Sequence, residues 1–467
     1  MIKLDNLTFL ITLFAFLIVT SCHRGPEKSI VQYRTNPSKL ECINFILSQD
    51  DSLGRIRNHA CKSISLSNTI DQYVASINNL DFKNCPKDFF HAFENHMNAW
   101  TGMKQVTDNF PDLRGEMHDL FDTIAKSKYK QTFDPLLKDI WDTWELVEAA
   151  VNDSKKFKIA HTIDEPDLIP EGIAHNPKDN SFYIGSTWKR KILKIDSVGN
   201  VSNFVHSGQD GLLGVIGMKV DAKRQTLWVC TSSSGRGMPV KGLTDPVHNK
   251  SGIFKYNLNT KELTQQFWLE TDAESFFFND ITVSSKGQVF ATEMRTRTIY
   301  TIVPNEDTLR PFATLPEEYR ANGIDIDEQD SNLYLALYAK PNAFGKLNIE
   351  TQELKIISIP NDEKVGADGL YFYNNSLIAV QPFTDNRVVC QYVLNNKLDS
   401  VKQIIVLVPD DKILNQPTTG VISNNKFYFL ANSQLQSFSQ LWKKNNGEFD
   451  INDLQPVKIL KLELIDN

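Results

Sequence analysis

The chain is poor in the residues that mark redox, haem and zinc centres. Its 467 residues include six cysteines and nine histidines, with no Cys-x-x-Cys pair, no Cys-x-x-Cys-His and no His-Glu-x-x-His. That excludes the common dithiol, c-type haem and zinc-protease signatures. A basic excess is missing too. The formal net charge of −7 gives no electrostatic footprint for nucleic acid. Beyond the N-terminus no apolar run is long enough to span a bilayer. What remains is ordinary globular material, 41% hydrophobic and 23% charged, in a length that suits two or three domains.

The N-terminus reads as a targeting segment. Lys3 precedes "LTFLITLFAFLIV", which is short for a membrane span and suits the apolar region of a secretory signal. "VTSC", ending at Cys22, resembles a bacterial lipobox. The resemblance implies a signal peptide over 1–21, lipidation of Cys22, and a cell-envelope protein anchored by acyl chains. Residues 22–38 read as a linker. An exported chain can form disulfides, and Cys42, Cys61 and Cys85 lie close enough in sequence for one bridge among them. Cys230 and Cys390 read as small buried strand residues.

Residues 39–153 carry a helical period and read as a bundle. Phe90, Phe93, His96, Met97 and Trp100 recur at helical spacing, as do Leu137, Ile140, Trp141, Trp144 and Val147. His91, Glu94 and His96 form a tempting metal cluster. The two histidines are five apart, off a common face, so packed and surface histidines are the better account.

From 157 to 467 the pattern changes to short β-rich runs separated by Asn, Asp and Gly. Six segments align, starting at Glu171, Ile216, Asn279, Asn322, Asp368 and Thr419, at intervals of 45, 63, 43, 46 and 51 residues. Each holds a strand, a turn and a second strand, and most lead on to further strands. Six units of about four strands predict an all-β six-bladed β-propeller after the helical bundle. "VKILKLELI" is expected to be the outer strand that closes the ring.

Side chains alternate along a strand, so Glu171, Asn279, Asn322 and Asp368 share parity with the apolar residues that follow them. If the first strand of each blade lines the central channel, these four converge at one end of it. Two carboxylates and two amide oxygens form a hard-oxygen set suited to Ca²⁺ or Mg²⁺. Asp280, of opposite parity, is expected to brace the neighbouring blade.

"PEGIAH", "FNDITVSSKGQVFATE", "ANGIDIDEQDSNLYLA" and "GADGLYF" resemble the senescence-marker-protein/gluconolactonase family, with its paraoxonase, diisopropylfluorophosphatase and strictosidine-synthase relatives. The resemblance runs from about Leu168 to Ser433. It implies a catalytic divalent cation, usually calcium, on Glu171, Asn279, Asn322 and Asp368, and hydrolysis of a lactone, ester or phosphoester. "GVIGMKVDAKRQTLWVC" also resembles the yellow/royal-jelly propellers, which bind ligands.

In the hydrolase reading the cation polarises a carbonyl and binds a water, and Asp368 takes a proton from that water or attacks directly. Loops joining second to third strands would share this face, which makes Trp188, Arg295, Tyr338, Phe383 and Asn432 candidate contacts for a small-molecule substrate, a lactone or sugar derivative. The insertion "TSSSGRGMPVKGLTDPVHNKSG", with His248, reads as a lid over the same face. A rival reading is a non-catalytic binding propeller with structural calcium. A third gives the function to the helical bundle and a protein partner, with the propeller as a docking platform.

Overall fold

The computed structural model describes residues 31–34, 37–233, 250–270, 275–306, 308–382, 384, 387–445 and 447–465. Cys22, Phe383 and the 234–249 insertion with His248 lie outside them. Among the described residues no helix is long and apolar enough to cross a membrane.

Six helices between Pro37 and Lys155 share one apolar core. Leu66–Asn78 starts on Ser65, whose side chain accepts from Asn68 N, and Lys87–Gly102 follows directly on Pro86. Both are regular ways of opening a helix. The core face differs from the expected one by about one residue at two places. Phe89 is fully buried where Phe90 was expected, and Phe90 is 38% exposed. Ile140 and Val147 face the core, while Trp141 is 62% exposed. At about 100° per residue, Trp141 stands a quarter turn from Ile140 and off the buried stripe. A disulfide joins Cys42 to Cys85, and Cys61, Cys230 and Cys390 are buried thiols.

Six sheets, five of four strands and one of five, form a propeller-like arrangement. Their first strands are Pro170–Asn176, Gly214–Asp221, Phe278–Val283, Arg320–Ile326, Gly369–Tyr373 and Gly420–Ser423. Within each of the first five, the strands pair antiparallel in sequence order. The first strands touch one another in cyclic order, and the last contacts the first. One apolar layer lies between each pair of neighbouring sheets, including sheets six and one, where Leu430 and Val457 pack with Ile173 and Phe182.

Ring closure differs from the sequence-based expectation. Val457–Glu463 is the third strand of sheet six, and Lys158–Ile163, from before sheet one, is the fourth. The expected outer strand is therefore an inner member, because Lys158–Ile163 supplies the free edge with a partner. The linker segment is also structured in part. Val31–Tyr33 pairs parallel with Ile404–Val406 as a fifth strand of sheet five. The helices thus sit between two strands that both belong to the sheets.

A polar tie reinforces that attachment. Lys155 Nζ, at the end of the last bundle helix, lies 3.0 Å from the Asp411 carboxylate, whose side chain is 1% exposed. Replacing one partner leaves a buried charge without its counter-charge. Lys155→Met is expected to destabilise the protein by about 3–5 kcal/mol, and Lys155→Met/Asp411→Leu to recover much of the loss. A denaturation double-mutant cycle measures the coupling.

Candidate functional site

Four first strands break register at the same place. The ladder to the second strand skips between Pro170 and Ile173, Val215 and Met218, Phe278 and Ile281, and Ala321 and Ile324. The skipped pairs are Glu171–Gly172, Ile216–Gly217, Asn279–Asp280 and Asn322–Gly323. Each is a bulge, where two residues oppose one on the partner strand and side chains are re-aimed. Counting parity through these positions therefore fails. Asp280 and Ile281, of opposite parity, both line the axial cavity.

The glycines of these pairs permit a close approach. A Cβ at Gly217 would lie 2.5 Å from the Asn279 carbonyl oxygen, and one at Gly323 2.7 Å from that of Asp368. The first strands of sheets two and four thus press their bulges against the candidate ligand positions of sheets three and five. Asp280 occupies the corresponding position of sheet three and makes the contact by hydrogen bonding. Its carboxylate accepts from Ile324 N in sheet four at 3.2 Å and from Ile281 N at 2.9 Å. That is the bracing role expected of it. Burial pushes its carboxyl up to about 7, with the two N–H donors and Lys219 opposing the shift.

At the bulge end of the axis, two sheets bring their head groups into contact. Asn322 Nδ2 donates to Asp368 Oδ1 at 2.6 Å and to the Tyr338 hydroxyl at 2.7 Å, and that hydroxyl lies 3.3 Å from Asp368 Oδ1. Asn322 is 1% exposed and Asp368 half-buried. The Asn279 and Glu171 positions come from register rather than from such contact. Asn279 Nδ2 lies 3.0 Å from Met294 Sδ. Glu171 is half-buried, and its carbonyl accepts from the Thr418 and Thr419 hydroxyls of sheet six. Among the described residues no three His, Cys, Asp or Glu side chains form a metal-sized group. The axial set contains two carboxylates and two amides, so its fit to a cation rests on donor chemistry: neutral oxygens and two negative charges suit a hard divalent ion.

Further along the axis is a cavity of about 240 Å³ reached by all six first strands. Asp325 organises this end. It accepts from Lys219 Nζ at 2.8 Å, Thr282 Oγ1 at 3.0 Å and Phe372 N at 3.1 Å, which ties sheets two, three and five to sheet four. Tyr371 accepts from Gly420 N at 2.6 Å. Burial, followed by the Asp280 charge, raises its phenol well above the usual range. Spacing gave no sign of this hub, because "IDID" reads as plain alternation.

The loop candidates separate. Tyr338 reaches the site, bridging Asn322 and Asp368. Trp188 instead packs at 5% exposure against Phe438 and Trp442 of the helix Leu435–Lys444, an element with no counterpart in the repeat. Asn432 is fully buried, donating to Pro456 O and accepting from Lys458 N, so both ends of its amide are engaged. Arg295 is exposed in a turn held by Glu293. In the bundle, His96 is a packed residue. Trp100 Nε1 can only donate, so His96 Nε2 accepts it at 3.1 Å, and the ring proton on Nδ1 faces Thr143 Oγ1 at 3.1 Å. Both nitrogens are occupied.

No family model matches the chain, and no curated protein matches it. Among solved structures it is similar to a gluconolactonase from Xanthomonas campestris at 13% identity, with 65% of this chain and 88% of that one covered and a TM-score of 0.44. It is also similar to the calcium-binding protein regucalcin from Agrobacterium tumefaciens, at 12% identity, 66% and 96% coverage and a TM-score of 0.44. A virginiamycin B lyase variant from Staphylococcus aureus follows at 14% identity, 66% and 100% coverage and a TM-score of 0.43. At these values the likenesses place no activity, ligand or residue role on this chain.

Two outcomes are expected. Asp280→Ala should cost about 1–3 kcal/mol for each N–H left without a partner. Asp280→Asn, which keeps one acceptor oxygen, should fall between it and wild type in urea midpoint. Burial and Arg57 lower the His96 pKa to about 4 from 6.5. Unfolding therefore takes up a proton between those values, and stability is lost as pH falls from about 6.5 through about 4. The loss is on the order of 3 kcal/mol. His96→Asn should flatten that slope in pH-dependent melting followed by helical circular dichroism.

Proposed function

We propose that the chain hydrolyses a lactone or ester at the axial site, with a divalent cation, calcium by preference, held by Glu171, Asn279, Asn322 and Asp368. In this reading the six sheets are the blades of a closed propeller. The observation that carries it is the meeting of Asn322 and Asp368 at 2.6 Å, from adjacent sheets, with Tyr338 bridging them. Asn322 leaves its ladder at the same bulge as Asn279 and Glu171, and Asp368 directly precedes the first ladder pair of its own sheet.

A bound divalent ion would supply Lewis-acid polarisation of the substrate carbonyl. The remaining work falls to the chain. Asp368 is half-buried beside two donors, Asn322 Nδ2 and the Tyr338 hydroxyl, which hold its carboxyl group in one orientation. From there it accepts the proton of an attacking water or attacks the carbonyl itself. Tyr338 acts through Asp368 and is a positioning residue. The apolar layers behind the axis exclude bulk water and keep these contacts short.

We further propose a lipid anchor at Cys22 and a place in the cell envelope. The Cys42–Cys85 disulfide supports the oxidising compartment this requires. Domain limits of 39–153 and 157–467, a protein partner for the helices, and a substrate of sugar-lactone type belong to the same reading.

The test is elemental analysis after equilibration with calcium, followed by a lactone and aryl-ester panel with and without chelator. Expected are one ion per chain and turnover that chelator removes. Glu171→Gln and Asp368→Ala should weaken metal binding at least on the order of a hundredfold, since losing even an outer partner can cost that much. Asp368→Ala with wild-type turnover would overturn the assignment. Bound metal without turnover anywhere on the panel would favour a binding propeller.

A further inference from the structure

A cleft of about 830 Å³ opens beside the candidate site, between sheets four and five. One wall is the Ala339–Ala343 turn, which begins directly after Tyr338. The other is Glu363–Val365, and Val365 lies three residues before Asp368, so at most about 10 Å of chain separates them. The cleft thus adjoins the reacting end of the axis, and its size falls in the usual range for small-molecule sites.

Its lining divides into two parts. Ile356, Ile357, Ile359 and Val365 give an apolar floor. Among the described residues the rim is cationic, with Lys340, Lys364 and Arg387 against one carboxylate, Glu363. Glu363 is taken by Arg387 at 2.6 Å. Lys340 and Lys364 are exposed and carry no ion pair among the described residues. At the sheet-one rim, Lys189 and Lys191 are both matched, by Glu165 and Asp167. Two ammonium groups without a carboxylate partner among the described residues, on chain segments that adjoin Tyr338 and Asp368, suit an anion that lies along the cleft while its carbonyl reaches the axis.

We propose that the substrate is a lactone or ester bearing a carboxylate, which Lys340 and Lys364 hold in this cleft. The proposal rests on the hydrolase reading above and names its substrate class. A neutral lactone has no group for this rim, whereas an aldaric-type lactone presents its carboxylate at one end and its ring carbonyl at the other.

The experiment compares D-glucaro-1,4-lactone with the neutral D-glucono-1,5-lactone on the full chain. Wild type should show the higher kcat/KM on the anionic lactone, falling with added salt. Lys340→Met/Lys364→Met should reduce the anionic-to-neutral ratio at least tenfold, mainly through KM, and Lys340→Glu/Lys364→Glu should reduce it further. An unchanged ratio in both double variants, or a wild-type preference for the neutral lactone, overturns the proposal. Calorimetric titration with the open dicarboxylate, D-glucarate, separates this from the hydrolase reading. If no lactone is turned over, that reading fails. Glucarate binding to wild type and its loss in Lys340→Met/Lys364→Met would still support the anion cleft. Absent binding, or equal binding in the double variant, would overturn it.

Discussion

The six sheets depend on how closely their first strands approach the axis. At Gly217 and Gly323 there is no room for a Cβ between one strand and the backbone of the next. Packing of this kind cannot be relaxed locally, because interiors are close-packed and a shift at one contact moves its neighbour. The bulges follow from the same constraint. A strand that leaves its ladder for two residues can turn its backbone toward the next sheet and its side chain toward the axis together. Three of the candidate ligand positions, Glu171, Asn279 and Asn322, are therefore by-products of the way the ring is packed. The candidate ligand positions and a structural joint share these bulges.

Polar bonds complete what the apolar layers begin. Thr292 Oγ1 in sheet three donates to Asn322 O at 2.7 Å, Asp280 takes the Ile324 N–H, and Asp325 gathers donors from three other sheets. Tyr371 joins sheet five to sheet six, and the Thr418 and Thr419 hydroxyls join sheet six to sheet one. Buried carboxylates are expensive unless their acceptor capacity is used. Asp325 spends both oxygens on donors from the ring, and the Lys219 ammonium offsets its charge. The lower axis is a structural joint built of charged groups, distinct in purpose from the half-buried carboxylates at the bulge end.

Much of this was legible in the residues, for reasons that also explain what was not. The repeat is visible because each sheet needs the same small or polar residue and apolar partner where it meets the axis: "EGI", "IGM", "NDI", "NGI", "DGL" and "TGV". Asn322, Asp368 and Tyr338 meet as their positions in that repeat suggest. Parity picked out these positions through a rule that does not hold there, since a bulge has no signature in a single strand. Trp188 and Asn432 pack into surroundings that loop position does not reveal, since it says nothing about an added element, and Leu435–Lys444 covers one of the two. Trp141 and Phe90 sit one residue from the true stripe, a shift that a period of 3.6 cannot resolve at the edge of a face. Strand order in sheet six was out of reach, since nothing near "KIAHTI" names a partner almost three hundred residues away.

That pairing sets a clock on the making of the protein. Lys158–Ile163 leaves the ribosome early, and Val457–Glu463 is the last of the described strands to appear. At about 5–20 residues per second, the first waits roughly 15–60 s for the second. Sheets one to five can form as hairpins in that interval, since their pairings are between sequence neighbours. Leu168, Ile173 and Phe182, on the flank that sheet six will cover, remain wet until the final strand arrives. An unfinished chain is thus a nearly complete ring with one sticky side, and the cell must keep it from finding another copy before it finds its own end.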